Sequence, residues 1–215
     1  MAEPTALFFD VGGVVLTNGW DRAIRRKAVE KFDLDPEEFE SRHELVVHAW
    51  EMGQITLDEY LRRTVFYRRR PFTRDEFDSF LFGQSHQHGE VMAVLKHLSA
   101  ANRWLMVALN NESLELNEYR IKKFRLRDVF SIFLSSCYLG VRKPDENIYR
   151  LALGITQRAP AESVFIDDRD INLEAAARLG MRVVHYQDPD QLVSELERLG
   201  VRLDARRKSA AGHGA

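Results

Sequence analysis

From about residue 89 onward, short apolar runs alternate with stretches of helical period, and few folds accommodate that pattern. Trp104 to Leu109, Ser131 to Leu134, Ser163 to Ile166 and Arg182 to His185 read as strands. Helices are predicted between them. Val91, Leu95 and Leu98 mark one face, Leu114 and Tyr119 a second behind a cap at Asn111, and Ile148, Leu151 and Ile155 a third after Pro144. Asn172 to Leu179 reads as another, and the last starts behind Asp188 and Pro189 and stops at Gly200. Strands apolar at every position are buried on both faces, so the expected sheet is mostly parallel with helices on both sides. One more such run, Ala6-Leu7-Phe8-Phe9, lies far upstream and ends at Asp10. Gly12 and Gly13 then allow a sharp turn around Asp10, and Val14-Val15-Leu16 suggests a brief return strand.

Between that first strand and the alternating part, residues 18–88 read as almost wholly helical. Asp35 caps a helix with Pro36 in its first turn, and Phe39, His43, Val46, Val47 and Trp50 recur at helical spacing until Gly53. Thr56-Leu57-Asp58-Glu59 and Thr73-Arg74-Asp75-Glu76 both carry the capping-box pattern. The expected organisation is an α/β core of residues 1–17 and 89–203, a helical cap at 18–88, and a disordered tail at 204–215.

An apolar share of 45% is enough for a real core, and a formal net charge of -2 argues against a general nucleic-acid or membrane surface. The runs Arg25-Arg26-Lys27 and Arg68-Arg69-Arg70 have acidic neighbours and read as solvated helix faces. Cys137 has no second cysteine to pair with and follows apolar residues, so a small buried thiol is expected. The first ten residues show no targeting pattern, and no apolar stretch approaches the roughly 20 residues that span a bilayer, so a cytoplasmic chain is expected.

The polar residues at the strand ends carry the functional reading. In open parallel sheets ligands bind beyond the carboxyl ends of the strands. Asp10 ends the first strand, Asn110 and Asn111 the second, and Asp167 and Asp168 the fourth, while Lys143 follows the third. Carboxylates meeting at one point repel unless a cation joins them, and an all-oxygen donor set beside a phosphate favours Mg²⁺. One carboxylate can instead attack and form a covalent intermediate, with a lysine supplying fixed positive charge.

These segments resemble, in order, the four motifs of the haloacid dehalogenase-like hydrolase superfamily. Phe8-Phe9-Asp10-Val11-Gly12-Gly13 is similar to the nucleophile motif and Leu109-Asn110-Asn111 to the second. Arg142-Lys143-Pro144 is similar to the third, and Ile166-Asp167-Asp168 with Asn172 to the acidic fourth. The resemblance implies a Rossmann-like core of about five parallel strands with an inserted all-helical cap. It also implies that Asp10 attacks phosphorus while Asp10, the Gly12 carbonyl and Asp168 bind Mg²⁺, with Asp167 joining directly or through water. Asn110 and Asn111 would hold the phosphoryl group, Lys143 would balance charge around Asp10, and Asn172 would orient Asp168 or Lys143.

Two residues depart from the pattern. Phosphatases of this family usually have an acid/base Asp where Gly12 stands, and a Ser or Thr where Asn110 stands. Gly12 cannot move a proton, so a bias toward good leaving groups is expected, and Gly12→Asp should raise turnover of unactivated esters. A cap histidine could supply the missing acid, although packing or surface roles suit His43, His48, His86 and His88 better; Arg62 and Arg63 are read as solvated and Trp50 as cap core. The leading expectation is a phosphatase of a small phosphorylated metabolite such as a sugar phosphate, acting as a monomer or homodimer without nucleic-acid or membrane partners. Two alternatives stand beside it. One is a 2-haloacid dehalogenase, whose chemistry needs no Mg²⁺; the other is a binding or regulatory protein with a weakened site.

Overall fold

A computed structural model describes residues 2–202, so the tail expected at 204–215 lies outside the described residues. Five parallel strands form one sheet: β1 (Ala6–Phe9), β2 (Leu105–Ala108), β3 (Ile132–Phe133), β4 (Ser163–Asp167) and β5 (Arg182–His185), in the order β3-β2-β1-β4-β5. β1 is central, with Phe8 opposite Val107 on one side and Phe165 on the other. The chain fills the sheet outward from β1 through β2 to β3, then crosses to β4. The carboxyl ends of β1, β2 and β4 thus meet at the switch in strand order, where ligand crevices form in such sheets.

β1 is buried at every position, and its side chains divide between two apolar layers as the pleat requires. Leu7 and Phe9 pack with Val91, Leu95 and Leu98 of α5 (Gly89–Ala101) and with Leu192 and Leu196 of α10 (Pro189–Arg198). Ala6 and Phe8 pack on the other face with Ile148, Tyr149 and Ala152 of α8 (Glu146–Thr156) and with Leu173 and Ala176 of α9 (Asp170–Arg178). Each buried large apolar side chain in these layers contributes about 1.5–3 kcal/mol.

Between β1 and α5 lie four helices: α1 (Arg22–Phe32), α2 (Pro36–Glu51), α3 (Leu57–Thr64) and α4 (Arg74–Gly83). Asp21, Asp35, Thr56 and Thr73 each cap one of them with a side-chain oxygen. The reciprocal glutamate bond of a full capping box forms at Thr73. Near Thr56 the Glu59 carboxylate is taken by Arg62 and Arg63 instead. These helices share their own apolar cluster, with Trp20, Phe32, Phe39, Trp50, Tyr60 and Phe77 at its centre. The core enters that cluster through Leu116 of α6 (Leu114–Lys123).

Three local expectations change. Val14–Leu16 forms no strand: Gly13 takes φ +84°, and Leu16 makes isolated bridges to Gly12 and to Gln87, where the helical segment returns. α6 starts behind Ser113 rather than Asn111, because the Asn111 amide bonds both ways to the backbone of Lys143. Cys137, in the one-turn α7 (Ser136–Leu139), is half-buried rather than buried. Among the described residues no helix is long and apolar enough to cross a membrane.

Candidate active site

Asp10 leaves the end of β1 and is 7% exposed. Its Oδ1 accepts from the Val11 N–H at 2.7 Å and pairs with Lys143 Nζ at 3.0 Å. Lys143 is buried as well, and its ammonium also pairs with Asp167 Oδ2 at 2.6 Å. Asp167, the fully buried last residue of β4, further accepts from Asn172 Nδ2 at 3.0 and 3.1 Å and from the Arg169 N–H at 2.9 Å. Both Asp167 oxygens are thereby occupied. Asn172 orients Asp167, whereas the family resemblance pointed to Asp168 or Lys143.

Asp168 is held differently. Its Oδ1 is buried and meets no hydrogen-bond donor. A Cβ on Gly13 would collide with its other oxygen, so the glycine lets the Asp168 carboxylate lie over the turn after β1. Asp10, Asp167 and Asp168 each offer an oxygen within 4.8 Å of the others. Burial raises the pKa of Asp10, and Asp167 and Asp168 add to the rise, against the pull of Lys143. Burial, then the Asp167 charge, raises Asp168 too. Burial works against the Lys143 ammonium, but its two carboxylate partners together outweigh it and hold its pKa above the ordinary lysine value. Three crowded carboxylates with one ammonium and an unbonded buried oxygen lack positive charge. A divalent cation with oxygen donors fits that deficit.

The site opens on a cavity of about 340 Å³. Asp10, Gly12, Lys143 and Asn172 form its floor, and Trp20, His43, Trp50 and Glu51 reach it from the helical segment. Asn111 lines it too, with its side chain bracing Lys143. Asn110 does not line it: its amide accepts from Ser135 Oγ at 2.8 Å and donates to Asn117 Oδ1 at 3.2 Å. The side chains of both asparagines thus bond within the frame around the site.

Other cavity residues were not apparent in the sequence. Arg25, expected on a solvated face, is half-buried, binds Glu40 at 2.8 Å and faces the cavity. Trp50 is in the helical cluster as expected, stacked on Tyr60 at 4.0 Å, and also lines the site. Arg62 and Arg63 are solvated and paired with Glu59, as expected. His43 shares a 2.7 Å hydrogen bond with Tyr60 Oη, and burial and the Arg25 charge push its pKa down to about 4. A histidine so depressed is the neutral imidazole near pH 7 and is not an imidazolium acid. Glu112 and Arg120 form a buried ion pair at 2.9 Å on the cavity wall. Arg120 was detectable in principle, since it continues the buried stripe of α6 after Leu116 and Asn117.

A family model described as a haloacid dehalogenase-like hydrolase matches residues 4–180. The flavin mononucleotide hydrolase 1 of Arabidopsis thaliana is 30% identical over 163 residues, which cover 75% of this chain and 65% of that protein. Bifunctional epoxide hydrolase 2 of Sus scrofa is 39% identical over 79 residues, covering 36% of this chain and 14% of the relative. The chain thus spans less than two thirds of the curated relatives it matches. A solved HAD family enzyme of Bacteroides thetaiotaomicron, in complex with magnesium and inorganic phosphate, superposes with a TM-score of 0.72 at 20% identity. The match covers 86% of this chain and 94% of that one, and shows a shared fold.

Proposed function

Because the chain belongs to the haloacid dehalogenase-like hydrolases, we propose that it is a magnesium-dependent phosphatase of a small phosphorylated metabolite, acting through an aspartyl-phosphate on Asp10. The observation that carries this reading is the unbonded Asp168 oxygen beside Asp167 and beside Asp10, which lines the cavity. Asp10, Asp168 and the Gly12 carbonyl would hold the cation, and Asp167, with both oxygens occupied, would act through water. When bound, the cation supplies positive charge beside Asp10 and the phosphoryl oxygens.

The residues divide the work. Asp10 attacks phosphorus, and the leaving oxygen departs into the cavity. Lys143, fixed between two carboxylates, stabilises the charge of the transferring group. Water then attacks the phosphorus and frees Asp10. Phosphoryl contacts fall to Lys143 and to Arg169, which both line the cavity. A cavity of about 340 Å³ is near the lower end of the 300–1,000 Å³ common for ligand sites, which favours a compact substrate such as a sugar phosphate. The segment 18–88 would act as a lid that keeps bulk water from the reacting centre. The named activity of the Arabidopsis relative supports phosphoester chemistry of this kind. A dehalogenase has no use for the extra acidic donor at Asp168.

The test is a phosphate-release screen across small phosphomonoesters. Turnover should need Mg²⁺, stop with chelator, and fall at least about 10³-fold in Asp10→Asn. Activity unchanged in that variant would refute the proposal, and chloride release from a 2-haloacid in chelator would put the dehalogenase in its place.

A further inference from the structure

We infer that Glu112 is the acid/base of this site, giving a proton to the leaving oxygen and taking one from the attacking water. The inference rests on the phosphatase reading above. Cleaving an unactivated phosphoester leaves an alkoxide that must be protonated, and the cavity offers few groups able to do so. Asp10 is the nucleophile. Lys143 is locked between Asp10 and Asp167. His43 is bonded to Tyr60 and is the neutral imidazole near pH 7. Asp21 caps α1 by accepting from the Ile24 N–H, which leaves two cavity carboxylates, Glu51 paired with Arg142 at 2.8 Å and Glu112 paired with Arg120 at 2.9 Å. Of the two, Glu112 is the one whose guanidinium partner lies against Gly12.

Its position suits the task. Glu112 follows Asn111, whose amide clamps the Lys143 backbone at 2.8 Å in both directions, so its place relative to Lys143 and Asp10 is fixed. Its Oε1 accepts from the Ser113 N–H at 3.0 Å, and its Oε2 from Arg120 Nη1 at 2.9 Å. That same Nη1 lies 3.7 Å from the point a Cβ on Gly12 would occupy. The carboxylate therefore stands across one guanidinium from Gly12, two residues beyond Asp10, and all of these residues line the cavity. Arg120 is itself anchored by Thr17 O at 2.6 Å and Ser85 Oγ at 3.1 Å, so the pair is held rigidly.

The charged surroundings set its proton affinity. Burial raises the Glu112 pKa, Arg120 lowers it and Glu51 raises it, with the result near 7. The Cys137 thiol facing it is pushed up to about 12 by burial and by the Glu112 charge, and stays neutral. The steps balance. Asp10 forms a bond to phosphorus as the bond from phosphorus to the leaving oxygen breaks, and the Glu112 proton completes the alcohol. Water then attacks phosphorus and gives its proton to Glu112, the bond to Asp10 breaks, and inorganic phosphate leaves. Glu112 ends protonated, as it began.

The experiment compares phenyl phosphate with p-nitrophenyl phosphate, whose leaving group needs no proton. Glu112→Gln should lower kcat/KM for phenyl phosphate about 10²–10⁴-fold and for p-nitrophenyl phosphate far less. With p-nitrophenyl phosphate it should show a burst of nitrophenol while phosphorylated protein accumulates. Wild-type kcat/KM for phenyl phosphate should fall as pH rises through about 7, since the protonated acid is lost, and Glu112→Gln should lack that limb. Should Glu112→Gln fail to fold, Glu112→Asp keeps a charge opposite Arg120 and should show intermediate leaving-group sensitivity. Equal losses on both esters, or a retained alkaline limb, would overturn the inference and leave the phosphatase reading intact. Asp10→Asn, assayed alongside, must lose both esters; if it loses neither, the reading and the inference fall together.

Discussion

At Gly13 the backbone takes φ +84°, and any side chain there would run into the Asp168 carboxylate. One glycine therefore does two things: it turns the chain after β1 and leaves room for an acidic group from the end of β4. Gly12 has no such need for a positive φ, and a Cβ there would meet Asn18 Oδ1 at 3.1 Å and Arg120 Nη1 at 3.7 Å. This revises the expectation for Gly12→Asp. A carboxylate at 12 would crowd Asn18 and compete with Glu112 for Arg120, so it should bring little gain in the wild-type background. In the Glu112→Gln background it should restore part of the lost phenyl phosphate turnover. Assaying the double variant beside each single one checks this. A large gain from Gly12→Asp alone would mean that position 12, rather than Glu112, is where a proton is wanted.

Among the elements, α6 couples the two parts of the chain. Its Leu116 lies in the apolar cluster of the helical segment, and its Arg120 grips Thr17 and Ser85, on the two strands of chain that connect segment and core. Leu116→Ala should cost about 2–5 kcal/mol in denaturant unfolding, and it should lower activity beyond its loss of stability by loosening the segment over the site. A variant that unfolds like wild type would show that this contact holds nothing together. The strands, their parallel arrangement and most helices were legible because apolar runs and caps are local signals. Asp10, Asp167, Asp168 and Lys143 were legible because strand ends of such a sheet point to one crevice. Glu112 was not, because nothing local marks it: its burial and its partner Arg120 arise only when α6 meets the segment after β1. α6 starts later than its sequence suggests for a related reason, since Asn111 bonds across the fold to Lys143 rather than along its own helix.

On the scale of the whole molecule, two apolar layers around the sheet and a separate aromatic cluster in the helices leave one polar seam between them. The cavity lies in that seam, lined by Asp10 and Glu112 from the core and by Trp20 and Trp50 from the helical segment. The central claim is that Asp10 is the atom donor to phosphorus there. The most direct measurement is mass spectrometry of the protein acid-quenched during turnover of p-nitrophenyl phosphate, followed by peptide mapping. A phosphoryl group on the peptide carrying Asp10, present with Mg²⁺ and absent with chelator, is the predicted result. Turnover with that peptide unmodified in both wild type and the slowly dephosphorylating Glu112→Gln, or with the phosphoryl group on another residue, would contradict the account.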